Sequence, residues 1–173
     1  MDSAHIHLIL NHFPIIGTII GAGVLFYGLI SKNNTINKVA LIIFIAMAII
    51  SIPVFLTGEG AEETVEHIIG VSENLIENHE EFAEIAIWFM MFLGILALIN
   101  LIAIFRKHPY TRIITLITFV LSLVTFGIFA QVGNLGGQIR HSELRENKKQ
   151  INSDTKEFLN NSKKENDDDD DDD

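Results

Sequence analysis

The sequence predicts an all-α integral membrane protein, an antiparallel four-helix bundle with a disordered C-terminal tail. Three observations predict it. Four runs of about 18–25 residues are apolar and almost uncharged, the length a helix needs to cross about 30 Å of hydrocarbon. The connections SKNNTINK and RKHPYTR are short, so the runs they join must be antiparallel neighbours. The chain then changes character and ends in seven consecutive aspartates, Asp167 to Asp173. Overall, 49% of the 173 residues are apolar and the mean hydropathy is +0.34, high for a water-soluble domain of this length.

The first run extends from about Ile6 to Ile30. It has no basic n-region and is too long for a cleaved signal peptide, so it reads as a membrane helix. Asn33-Asn34 ends it, and the second run extends from about Val39 to Leu56. An acidic loop, residues 57–78, follows. Within it Ala61 to Ile69 has a short helical pattern that suits a surface lid. Helical periodicity resumes from Ser72, where Val71, Leu75, His79, Phe82 and Ala86 form one face and Glu73, Glu77, Glu80, Glu81 and Glu84 lie mostly off it. The third run, about Ile85 to Phe105, is therefore expected to begin some three turns outside the bilayer. Pro109 separates it from the fourth, about Ile113 to Val132. Residues 1–145 form the membrane domain. Residues 146–173 form an acidic tail with too little apolar content to fold alone, expected to be disordered beyond about residue 150.

The formal charge of −10 is concentrated in the tail and the acidic loop, and no basic patch suits nucleic acid. The absence of cysteine excludes disulfides, thiolate metal sites, iron–sulfur clusters and covalent c-type haem. No hydrolase, kinase or nucleotide motif is visible. No carboxylate pair lies inside a membrane run. Asn100, Ser122, Thr125 and Gln131 are the expected interior polar groups of the last two helices, too few for a charge-relay path.

Up-down topology gathers His5, His7, His12, His67, His79 and His141 at one membrane face and leaves His108 at the other. The opposite loops contain no acid and carry Lys32, Lys38, Arg106, Lys107 and Arg112. The positive-inside rule makes those loops cytoplasmic and the histidine face and both termini extracytoplasmic, although Arg140, Arg145, Lys148 and Lys149 count the other way. A lone boundary histidine is usually an interfacial polar group. Four of them converging from three helices favour a shared ligand. Gly17, Gly21, Gly23, Gly94, Gly127, Gly133, Gly136 and Gly137 allow close approach, for which ordinary helix packing is the simpler reading of any one.

The pattern His7-x4-His12-Phe13-Pro14-Ile15, together with Thr57-Gly58, His79 and Leu135-Gly136-Gly137-x-Ile139-x-x-His141, resembles a family of small bacterial four-span membrane proteins of unassigned function. The resemblance covers about residues 5–142. Leu8 follows His7 where that family has proline, and the acidic loop here is longer. Related members look like haem-binding cytochrome b-type modules, some beside redox domains. The resemblance thus implies a bacterial cytoplasmic-membrane location and a cytochrome b-like role.

A b-type haem needs one or two imidazoles from flanking helices and an apolar slot. His12 and His79 are the preferred axial pair: His12 lies deepest in the apolar run, and His79 lies on an apolar stripe. His141 and His7 are the further candidates, and all four together allow two haems. His7 and His12 are five residues apart, about 140° around a helix, and cannot easily share one iron. The expected function is electron transfer, as a subunit rather than a stand-alone enzyme. Its partners are membrane lipid, a redox protein or quinone at the extracytoplasmic face, and a larger membrane complex. A non-haem metal site built from Glu63, His67, Glu80 and Glu84, each pair spaced i, i+4, is the alternative. A purely structural membrane subunit is the third reading.

Overall fold

A computed structural model of the chain describes residues 3–58, 60 and 73–140. Among the described residues, five helices make four spans. Helices α1 (Ser3–Leu10) and α2 (His12–Ile30) share the first, α3 (Asn34–Leu56) forms the second, α4 (Glu73–Phe105) the third and α5 (Thr111–Arg140) the fourth. Helix α2 packs on α3, α3 on α4, α4 on α5 and α5 back on α2, closing a bundle; α1 rests on α3. Each of the four spans is long and apolar enough to cross a membrane.

Two departures from the sequence expectation have local causes, and the third span starts well outside the bilayer as its periodicity predicts. The first span is divided at Asn11, which keeps helical dihedrals (φ −60°, ψ −24°). Pro14 explains the interruption, because it has no N–H and its ring excludes the carbonyl four residues earlier, at Leu10. Helix α4 takes in Glu73 to Asn78, the second part of the expected acidic loop. Its 33 residues span roughly 50 Å, well beyond about 30 Å of hydrocarbon. Helix α5 runs to Arg140 instead of ending near Val132, through Gly133, Gly136 and Gly137. Tertiary packing outweighs the poor helix propensity of glycine there. The expected lid at 61–69 and the tail beyond 140 lie outside the described residues.

At the basic end, α2 and α4 terminate alike. Asn33 N donates to Gly28 O (3.0 Å) and His108 N to Ala103 O (2.9 Å), each closing a six-residue cap. The cap places Lys32 (φ 51°) and Lys107 (φ 52°) in the left-handed region. Glycine favours that region, and an L-residue there costs about 1–2 kcal/mol. A cation beside the negative end of the helix dipole recovers part of this. Asn33 also starts α3, its side chain accepting from Thr35 N at 2.9 Å.

The bundle is small and polar inside and bulky and apolar outside. Ala22, Ala40, Ala48, Ala86 and Ala97 are buried beside Leu25, Phe44, Met90 and Leu93, while Ile16, Phe26, Ile49, Trp88, Phe92 and Ile117 are exposed. A protein that turns this surface outward needs lipid around it. Interior polar groups differ in part from expectation. Gln131 is exposed, whereas Thr115 and Thr118 are buried with Ser122 and Thr125 on one face of α5. Asn100 of α4 donates through Nδ2 to Thr118 Oγ1 (3.3 Å) and accepts through Oδ1 from Thr115 Oγ1 (3.2 Å). Replacing Asn100 by leucine is expected to lower stability by only about 1 kcal/mol, read as the thermal midpoint in detergent. The effect is small because Thr115 and Thr118 also donate to carbonyls of their own helix, those of Thr111 and Ile114.

Candidate functional site: the histidine end of the bundle

Two histidines are held the same way at this end. His7 Nδ1 lies 2.9 Å from Val54 O, and His79 Nδ1 lies 3.1 Å from Val132 O. A carbonyl can only accept, so in each ring Nδ1 carries the proton, and in the neutral form of the ring Nε2 is the nitrogen with the lone pair. That is the arrangement of a metal-ligating histidine, oriented through one nitrogen and free to bind through the other. Both rings are half-buried.

Local structure explains how each carbonyl becomes available. Val54 lies in the last turn of α3, where carbonyls run out of helical donors. Thr57 Oγ1 supplies one partner at 3.1 Å, and His7 from α1 supplies the other. Pro53 stands inside the same helix end. Val132 lies inside α5, so its carbonyl offers the imidazole a second lone pair. Gly136 stands one turn further on the same face, and a Cβ there would come within 3.2 Å of His79 Cε1. A side chain at 136 would crowd the ring that reaches that carbonyl. Gly58 plays a looser part, since a Cβ there would lie 3.7 Å from His7 Cε1, ordinary van der Waals contact. The Thr57-Gly58 and Leu135-Gly136-Gly137 segments thus seat two imidazoles.

The remaining candidates are placed differently. His12 is exposed, on the far side of the Asn11 interruption from His7, and His5 is exposed as well. His7 and His79 are thus the two histidines of this end that are half-buried and bonded to a carbonyl of a neighbouring helix. His108 is exposed at the opposite end, beside Tyr110 with ring centroids 5.5 Å apart. Glu80 and Glu84 are exposed on α4. His141, His67 and Glu63 lie outside the described residues. Among the described residues, no three His, Asp or Glu side chains converge as a metal site.

Asn11 was not singled out by its sequence. Its Oδ1 is buried and has no hydrogen-bond donor among the described residues. Asn11 N donates to His7 O (2.9 Å), so this orphaned acceptor sits one turn from the His7 imidazole. A buried amide oxygen without a donor costs about 1–3 kcal/mol, and Asn37 Oδ1 near the basic end is a second such atom among the described residues.

No protein-family model, curated protein or solved structure matches the chain. The resemblance to the four-span family rests on the quoted motifs alone.

Proposed function

We propose that this four-span membrane protein binds a b-type haem between His7 and His79 and serves in electron transfer at the histidine end of the bundle. The carrying observation is the matched pair of Nδ1–carbonyl bonds, which orients both rings and leaves Nε2 of each as the nitrogen that can ligate. The donor set fits this group. Two imidazoles cannot complete the shell of a lone zinc, manganese or iron ion, whereas a porphyrin brings four nitrogens and needs two axial ligands. When bound, haem supplies a one-electron couple. The chain supplies the rest: Val54 and Val132 carbonyls hold the rings, and Gly58 and Gly136 leave room for them.

The basic loops at the other end support a cytoplasmic placement of that end, with the histidines extracytoplasmic. All the ring nitrogens of the site lie at one end, so one haem there does not bridge about 30 Å of bilayer. Exchange at the extracytoplasmic face, with a redox protein or a quinone at headgroup depth, is the role that fits. His141 and His12 remain the candidate ligands for a second haem.

Titrating the purified protein with haem tests the proposal. The expected result is a low-spin spectrum with a Soret band and sharp α and β bands on reduction, saturating at one equivalent. Saturation at two would support the two-haem form. Bound metal without a Soret band would replace the proposal by the Glu63, His67, Glu80, Glu84 reading. Binding of neither would leave a structural subunit.

A further inference from the structure

A second site lies at the opposite end of the molecule. Between the end of α2 and the start of α5 runs a groove of about 460 Å³, lined by Phe26, Leu29, Ile113, Leu116 and Phe119, with Lys32 and Arg112 at its rim. This volume falls within the range of small-molecule pockets. The α2–α5 seam is the thinnest of the four in the bundle. Phe26 and Phe119 stack across it, ring centroids 5.6 Å apart.

We propose that this groove binds an anionic phospholipid, with an acyl chain against the apolar wall and the phosphate between Lys32 and Arg112. Charge complementarity selects the occupant. The two loops at this end contain no acidic residue, so neither rim cation has a carboxylate partner there. Lys38 is already engaged over the Phe105 ring, 4.8 Å from its centroid, and lies outside the groove. Lys32 is held in place by the helix cap that forces its positive φ. A free anion would leave the apolar wall uncovered, and a neutral amphiphile would leave two cations unanswered. Basic pockets between membrane helices recognise lipid headgroups by this combination.

Native mass spectrometry of the full chain, mixed with equal amounts of phosphatidylglycerol and phosphatidylcholine of the same acyl chains, tests the proposal. The wild-type chain is expected to retain phosphatidylglycerol preferentially, by roughly 25-fold at about fivefold per cation. Lys32→Gln/Arg112→Gln should abolish the preference. Arg106→Gln/Lys107→Gln, which removes the same charge at this end but outside the groove lining, should keep it. Leu116→Trp, which fills the groove and leaves both cations, should lower retention of the anionic lipid. The proposal is overturned if the first pair keeps the preference, if the second pair loses it equally, or if Leu116→Trp changes nothing. It does not depend on haem binding at the other end.

Discussion

The His79→Ala and His7→Ala chains are each expected to lose low-spin haem binding, with affinity more than about 100-fold weaker, while His12→Ala keeps the parental spectrum. Loss of a partner that merely orients a ligand costs 10–100-fold, and loss of the ligand itself costs more. A single substitution leaves one imidazole, so any haem retained should turn high-spin. Absorbance of the reduced and oxidised forms reads this directly. The contrast with His12 is the sharp part. His12 precedes the Phe-Pro motif and looks like the deepest ligand, yet it is exposed, whereas His7 reaches the Val54 carbonyl. If His12→Ala loses the haem and His7→Ala keeps it, the axial pair is His12 and His79, and the bond to Val54 is only a helix cap. His108→Ala, at the far end of the bundle, is the control for general damage.

Gly94→Val is expected to be the most destructive apolar substitution in the bundle, at or beyond the upper end of the roughly 1–3 kcal/mol usual for overpacking. A Cβ on Gly94 would lie 2.5 Å from the Ala48 Cβ, so α3 and α4 would have to separate. Both residues are buried, and no flexible side chain can yield. The folded monomer should be lost on size-exclusion in mild detergent, or its thermal midpoint should fall steeply. Ala48→Gly in the same chain should restore a large part of the loss, because it removes the opposing methyl; absence of any coupling would refute the contact. Gly23→Ala should be neutral or mildly stabilising, because a Cβ there meets nothing within 4 Å and alanine favours the helix.

These two sets of substitutions separate what is legible in one dimension from what is not. Residues 39–56 and 85–105 read as spans because bilayer thickness imposes a length and an apolar composition on any helix that crosses it. The gathering of His7, His12 and His79 at one end follows from antiparallel order alone, since spans that alternate in direction put the start of the first and the start of the third at the same face. The stripe of Leu75, His79, Phe82 and Ala86 likewise survives as the inner side of α4, with Glu77, Glu80, Glu81 and Glu84 outside. Periodicity is a local property, and the sequence carries it.

Which histidine turns inward is not local. It depends on how the Asn11 interruption directs the two parts of the first span, and on the end of α3 offering a carbonyl to α1. Gly136 and Gly94 look alike in sequence and could each be ordinary packing glycines. Only the neighbours across the bundle make one a seat for an imidazole and the other a helix contact. The burial of Thr115 and Thr118 against Asn100, and the exposure of Gln131, are likewise set by the rotation of α5 in the bundle. Bilayer thickness and chain order therefore determined from sequence the number of spans, their alternation and the end at which the histidines meet. The tertiary structure alone decided which rings turn onto a neighbouring helix's carbonyl, because contacts between helices depend on the rotation and close approach of surfaces far apart in the chain.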